Sequence, residues 1–242
     1  MRIEVNGKQF KQALSNIIAL TIPAQSIEKT PDSDTVRFIL DPEAPDILTI
    51  IRASPYMFAE HQVPIVGGKV IDYWHVTVTA KHEKKSGYVD DIPTLKAAII
   101  APMTTKHNTL TVEMSETLTV LNGTELVGEL ADHDDQHADA YYDKAIELLD
   151  APVVGLDPLT SFSAATLARF NGVKLDTFGT LAPVVTLGKL PNKPVALWRI
   201  GDQVRGAVAL IDQQVYTAGG PWGDGPGKPD HMPTKTGDGY LF

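Results

Sequence analysis

The segment "LAPVVTLGKLPNKPVALWRIGDQVRGAVALI" (residues 181–211) contains three short runs rich in apolar and β-branched residues. The runs are "PVVTLGKL", "PVALWRIG" and "VRGAVALI", with a Gly-Asp turn between the last two. Such runs, bounded by turn residues, predict antiparallel strands. The preceding "SFSAATLARFNGVK" (161–174) predicts a short helix, because it has serine at its start and Gly172 on its C-terminal side. Residues 158–213 therefore read as one helix followed by three strands.

The same order of elements occurs earlier in the chain. "DDIPTLKAAIIAP" (90–102) has Asp before the helix, Pro93 in its first turn and Pro102 beyond its end, which are start and stop signals for a short helix. Three predicted strands follow it, "TLTVEM", "TLTVLNG" and "ELVGEL". The repeat is architectural, since the two copies share little residue identity.

The N-terminal part completes the first unit. "RIEV" alternates like a strand, and "NGKQFKQALSNIIAL" then has helical periodicity. Its apolar face comprises Phe10, Ala13, Leu14, Ile17 and Ile18. Four β-rich segments follow, "TVRFIL", "ILTIIRA", "MFAEHQVPIV" and "DYWHVTVTA", broken by Pro, Gly and Asp as in an antiparallel meander.

These segments predict an α+β fold of antiparallel sheets with short helices on one face. We expect four parts: a first domain at 1–131, an acidic crossover linker at 132–157, a shorter second domain at 158–216, and a flexible Gly/Pro-rich tail at 217–242.

Composition limits the classes of function. The chain has 242 residues, 43% of them hydrophobic and 21% charged, as in an ordinary globular protein. A net charge of −9 disfavours a broad basic surface that binds nucleic acid tightly, although a local basic surface remains possible. The absence of cysteine excludes disulfides, thiolate metal sites and cysteine nucleophiles. We expect a cytoplasmic protein that does not enter a membrane.

The stretch "ADHDDQHADAYYD" (131–143) raises the question of a metal site. His133 and His137 lie four residues apart and would share one face of a helix, where nearby aspartates could complete a divalent site in a metal-dependent hydrolase. However, aspartate-rich sequence forms helices poorly, and no glutamate stands where a His-Glu-x-x-His site needs its base. We favour a solvated acidic loop leading to "AYYDKAIELL", anchored by Tyr141, Tyr142, Ile146 and Leu149. No catalytic motif is present, so we expect no enzyme and no cofactor.

The 181–211 segment and the repeated helix-plus-strands order resemble the bacterial and phage DNA sliding clamps, the β-subunit family of the replicative polymerase. The residues that carry the resemblance in the last strands are Lys193, Pro194, Val195, Gly201, Asp202 and Gly206, followed by "AVALI". The stretch "ELADHDDQHADAYYDKAIELL" occupies the place where clamps cross between domains. There Tyr141, Tyr142 and Asp143 stand in for an aromatic-containing family sequence.

The resemblance implies a phage-derived DNA replication processivity factor that encircles duplex DNA and docks polymerase or other replication proteins. Its helices would line the hole and contact DNA weakly and without sequence preference. The DNA-facing residues implied are Lys8, Lys11, Lys96 and Arg169. Family members with two domains per chain form trimers, so a homotrimeric ring is expected.

The C-terminal "GDGYLF" suggests an alternative role. It resembles the terminal Leu-Phe peptides of proteins that dock on clamps. Tyr240, Leu241 and Phe242 would then be partner-binding residues, and the chain would be a clamp-fold module that engages a host replication protein.

Overall fold

The computed structural model describes residues 1–20, 35–54, 57–80, 94–104, 108–133, 136–156, 164–174, 185–191, 193 and 195–210. Within these ranges, none of the helices combines the length and the apolar character that crossing a bilayer requires.

Eleven strands in antiparallel pairs form the sheet of the described residues. They are β1 Arg2–Asn6, β2 Thr35–Leu40, β3 Ile47–Ser54, β4 Met57–Gly68, β5 Trp74–Thr79, β6 Thr109–Met114, β7 Thr117–Asn122, β8 Glu125–Ala131, β9 Val185–Lys189, β10 Val195–Ile200 and β11 Val204–Ala209. The three strands predicted in 181–211 are therefore β9, β10 and β11.

Helical segments connect and cover the strands. They are α1 Gly7–Leu20, a π-helical turn Lys96–Ile100, α2 Gln136–Leu149 and α3 Ala164–Phe170. The short helix predicted in 90–102 is thus a π-helical turn, and Pro93 lies outside the described residues.

The first helix forms where the N-terminal sequence predicts it. Asn6 caps it, because its side-chain oxygen accepts hydrogen bonds from the backbone N–H groups of Lys8 and Gln9, both at 3.1 Å. Four residues of the predicted apolar face, Phe10, Ala13, Leu14 and Ile17, are buried, while Ile18 is only half-buried.

The sheet is organised around the 12-residue strand β4. Strand order is β5-β2-β3-β4-β1-β6-β7-β8, and β11 joins β4 through residues 57–61, carrying β10 and β9 with it. On that side of β4, β1 pairs with residues 65–68 instead. Strands from both predicted domains therefore share one sheet, while the domain boundaries themselves stay a prediction.

The core lies mainly on one face of the sheet. Because successive strand residues point to opposite faces, Phe38, Ile50 and Ala59 face the main core together with α1, the π-helical turn and α3. Their neighbours Ile39, Ile51 and Phe58 face the other side, where α2 packs. The predicted α+β fold of antiparallel strands and short helices is confirmed. The expectation that helices occupy one face holds for α1, the π-helical turn and α3, but α2 covers the opposite face.

The acidic stretch is more helical than its composition predicts. We expected a loop before Ala140, but α2 begins at Gln136. Tyr142, Ala145 and Leu148 are buried against the sheet. This packing outweighs the low helix propensity of the aspartates.

Gly206 marks a point of close approach between β11 and its neighbours. A Cβ added there would lie 2.2 Å from the Phe58 backbone oxygen and 2.2 Å from Cζ2 of the buried Trp198. The absence of a side chain at this position therefore allows the indole to lie across the strand.

We predict that Gly206→Ala lowers the free energy of unfolding by about 3 kcal/mol, since overpacking forces backbone or ring to move. Gly155→Ala is the matched control, because a Cβ there meets nothing within 4 Å. Denaturant unfolding monitored by tryptophan fluorescence measures both. Equal stability of the two variants would contradict the packing described.

Candidate nucleic-acid interface

Three helical segments form a continuous layer on the core face of the sheet. We call residues 7–20, 94–104 and 164–174 the helical layer. The first helix lies in the middle and contacts both of its neighbours. The Lys11 ammonium donates a hydrogen bond to the Met103 carbonyl on one flank, and the Gln12 amide donates to the Lys174 carbonyl on the other.

The helical layer is basic, although the protein as a whole is acidic. These three ranges contain no aspartate or glutamate, whereas the chain has a net charge of −9. The basic residues are Lys8, Lys11, Lys96, Arg169 and Lys174. A surface of this kind attracts a polyanion locally while the rest of the molecule repels it.

All four predicted DNA-facing residues lie in this layer, on three different helical segments. Lys8 and Lys96 are exposed, and Lys11 and Arg169 are half-buried. Their contact with DNA stays a prediction. Sequence analysis missed Lys174, which is exposed two residues beyond Gly172. Its signal in the sequence is its place as the last residue of the predicted helical segment 161–174.

A buried polar network lies beneath the layer. Asn16, which is 1% exposed, uses its side-chain amide to bond both backbone groups of Lys174. Its Nδ2 donates to the Lys174 carbonyl at 2.7 Å, and its Oδ1 accepts from the Lys174 N–H at 2.9 Å. The same Nδ2 lies 3.3 Å from Nε2 of His61 on β4.

His61 is neutral in this network. Burial lowers the pKa of His61 to about 4, against the smaller opposing effect of its hydrogen bond to the Gln62 carbonyl. Nδ1 donates that bond at 3.2 Å, so Nε2 is free to accept from Asn16. Protonation of Nε2 would place two donors against each other.

We predict that the free energy of unfolding falls as the pH falls from about 6.5 toward 4. In this window the unfolded chain binds a proton at this position that the folded chain does not, which is worth about 3 kcal/mol across the full shift. His61→Gln keeps an acceptor for Asn16 but does not titrate, so its stability should decline less over the same range. Urea unfolding at a series of pH values measures this difference, and parallel curves for the two proteins would contradict it.

The opposite face of the sheet is covered by an acidic helix. In α2, Tyr142, Leu148 and Leu149 face the sheet, and Asp143 and Glu147 are exposed. The Tyr142 hydroxyl donates to the Thr35 carbonyl at 2.9 Å and its ring lies 4.4 Å from the Arg37 guanidinium carbon. The predicted aromatic anchor is therefore present at Tyr142.

Arg205, which pairs with a buried carboxylate of the sheet, also fastens the residue after α2 to the sheet. Arg205 on β11 binds Glu60 on β4 with two hydrogen bonds, at 2.8 and 3.0 Å, and donates a third to Asp150 at 3.0 Å. Burial opposes the charged form of Arg205, but the hydrogen bonds and charges of Glu60 and Asp150 outweigh it and raise the pKa of the guanidinium. Because Glu60 is 2% exposed, it depends on this partner.

The start of the acidic stretch is hydrogen-bonded to a neighbouring strand. Asp132 accepts a hydrogen bond from the Thr77 N–H at 2.7 Å, and the His133 N–H donates to the Thr77 carbonyl at 2.6 Å. These bonds tie the chain after β8 to β5. Among the described residues, no group of three His, Asp or Glu side chains could hold a metal. Asp134, Asp135 and the side chain of His137 lie outside the described part, so the metal hypothesis stays untested.

The predicted partner-binding residues Tyr240, Leu241 and Phe242 also lie outside the described residues. Their role stays a prediction.

Solved structures of DNA polymerase III β sliding clamps share this fold. The β subunit from Thermotoga maritima matches with a TM-score of 0.55 and 8% identity, over 87% of this chain and 64% of that one. The Helicobacter pylori β clamp in complex with 5-chloroisatin matches with a TM-score of 0.53 and 9% identity, over 88% and 63%. The β subunit from Streptococcus pyogenes gives 0.53 and 11% identity, over 88% and 65%.

The chain therefore spans a little under two thirds of the length of these structures. At this identity the likeness shows a sliding-clamp-like fold alone. No protein-family model matches the chain, and no curated protein sequence matches it.

Proposed function

We propose that this protein, which has the sliding-clamp fold, is a DNA replication processivity factor that encircles duplex DNA with its helical layer. The observation that carries the proposal is the distribution of charge. Five basic residues and no acidic ones lie in the helical layer, while exposed acids lie on α2 across the sheet. A ring with this polarity holds DNA in its hole and repels it from its outer surface.

The basic residues suit a contact that slides. Contacts from lysine and arginine to phosphates carry no sequence information, so an interface made of such contacts has no sequence preference. Lys11 is partly engaged by the Met103 carbonyl, which limits its contribution to phosphate binding. Retention on DNA would come from ring closure, and the phosphate contacts would remain weak enough for movement.

Ring closure requires further copies of the chain. Among the described residues, β8 pairs with β7 on one side and has no strand on its other side. An unpaired edge of this kind can accept a strand from a neighbouring subunit. Three copies of a chain with two domains would form the ring.

The outer surface would dock the polymerase. Two of the solved structures with this fold are described as the β subunit of a DNA polymerase. We infer a non-catalytic role, in which the protein holds a replication enzyme on its template.

We predict that the protein is retained on nicked circular DNA and released when the circle is cut once. Topology alone would cause the difference, because a ring slides off a free end. Gel filtration of DNA complexes measures retention, and light scattering should give a mass near three times 26.2 kDa. Equal retention on circular and linear DNA, or a monomer at all concentrations, would contradict the ring.

Replacing exposed cations of the helical layer should weaken DNA binding in a salt-dependent manner. Lys8→Gln with Lys96→Gln removes two phosphate contacts, so the slope of log affinity against log salt should fall by about 1.8. Lys69→Gln with Lys193→Gln is the matched control, because both lysines are exposed outside the helical layer. Fluorescence anisotropy with a labelled duplex measures both slopes. An equal fall of the salt slope in the control variant would mean that DNA does not bind at the helical layer.

A further inference from the structure

The last residue of the helical layer, Lys174, is held by its backbone rather than by its side chain. Its N–H donates to Asn16 Oδ1, and its carbonyl accepts from Asn16 Nδ2 and from the Gln12 side chain. Its side chain is exposed. The backbone is therefore fixed to α1 while the ammonium group remains available to a ligand.

We propose that Asn16, oriented by His61, is a positioning residue that places Lys174 as a further phosphate-contacting cation. This inference rests on the proposed DNA-encircling function and adds a residue that the sequence resemblance did not imply. Its physical basis is the joining of distant parts of the chain, since Asn16 and Lys174 are 158 residues apart. The hydrogen bonds of Asn16 thus hold the basic residue that follows α3 next to the basic residues of α1.

His61 and the two backbone groups of Lys174 together fix which way the Asn16 amide points. The amide faces two acceptors, the Lys174 carbonyl and the neutral Nε2 of His61, and one donor, the Lys174 N–H. Only one of its two orientations satisfies all three groups. A flipped amide would oppose oxygen to acceptors and NH₂ to a donor, and a buried mismatch of this kind is costly.

The segment that contains Lys174 has other anchors, so loss of Asn16 should not unfold it. Phe170 and Val173 are buried, and the Phe170 ring packs edge-on against Trp198 with ring centroids 5.2 Å apart. Asn16→Ala would therefore free the end of the segment while its apolar part stays in the core. This separation makes the positioning role testable.

The first experiment is a double-mutant cycle on duplex DNA affinity with Asn16→Ala and Lys174→Gln. Lys174→Gln should weaken binding about 8-fold at 0.1 M salt and lower the salt slope by about 0.9, as expected for one phosphate contact. Asn16→Ala should cause a loss of up to that size. The double variant should bind no worse than Lys174→Gln, because Asn16 acts through Lys174. Additive losses would overturn the proposal.

An engineered disulfide tests whether fixing the segment again restores the DNA affinity that Asn16→Ala loses. A Cβ added at Gly172 would lie 3.4 Å from the Ala19 Cβ, close to the separation found in disulfides, and the chain has no other cysteine. In the Asn16→Ala background, Ala19→Cys with Gly172→Cys should restore DNA affinity when oxidised and lose it again on reduction. Thiol titration confirms that the bond has formed. A formed bond that restores nothing would overturn the positioning role.

Hydrogen exchange tests the positioning role of Asn16 independently of the proposed DNA-binding function. The Lys174 amide should exchange about tenfold faster in Asn16→Ala and in His61→Leu, but not in His61→Gln, which retains an acceptor. Unchanged exchange in Asn16→Ala would overturn the positioning role whether or not DNA binds. If exchange is faster in Asn16→Ala but the wild-type protein does not bind duplex DNA, the DNA contact and the proposed function are rejected. The docking of the Lys174 backbone on Asn16 would then still hold.

Discussion

The structure depends on the pairing of β4 with strands from both ends of the chain. Residues 57–61 of β4 lie between β3 and β11, and residues 65–68 pair with β1. A strand in this position joins β9, β10 and β11 to β1 and β3 through backbone hydrogen bonds, which do not depend on side-chain identity. It also separates two packing surfaces, since Ala59 and His61 face α1 while Phe58 and Glu60 face α2.

That separation gives the two faces of the sheet different chemistry. On the α1 face the charged residues of the helical layer are all cations, and its segments are joined by the Lys11 ammonium and by the side-chain amides of Gln12 and Asn16. On the α2 face a buried carboxylate, Glu60, is neutralised by Arg205, and the exposed side chains among those described in the helix, Asp143 and Glu147, are acidic. An acidic protein can therefore present a basic surface to a polyanion, because its acidic residues lie outside the helical layer.

Much of the fold could be predicted from periodicity and turn residues. Alternation of apolar residues located the strands, and the spacing of Phe10, Ala13, Leu14 and Ile17 located α1. Four cations of the helical layer were also predicted from the sequence, because they lie on predicted helices. Lys174 was not, since its place depends on the amide of Asn16, and a buried asparagine is indistinguishable in sequence from an exposed one. The length of α2 was underestimated for a related reason: its stability comes from Tyr142 and Leu148 packing on a sheet that is assembled from distant strands.

The sequence by itself determined the order of the elements, the antiparallel α+β class and the residues that face a core, because these follow from local periodicity, propensity and turn chemistry. Only the tertiary structure decided that β11 pairs with β4, that α2 lies opposite α1, and that His61, Asn16 and Lys174 meet. Each of these depends on contacts between residues more than 40 positions apart. Contacts of this range are selected by the packing of the whole sheet, and no local pattern encodes them.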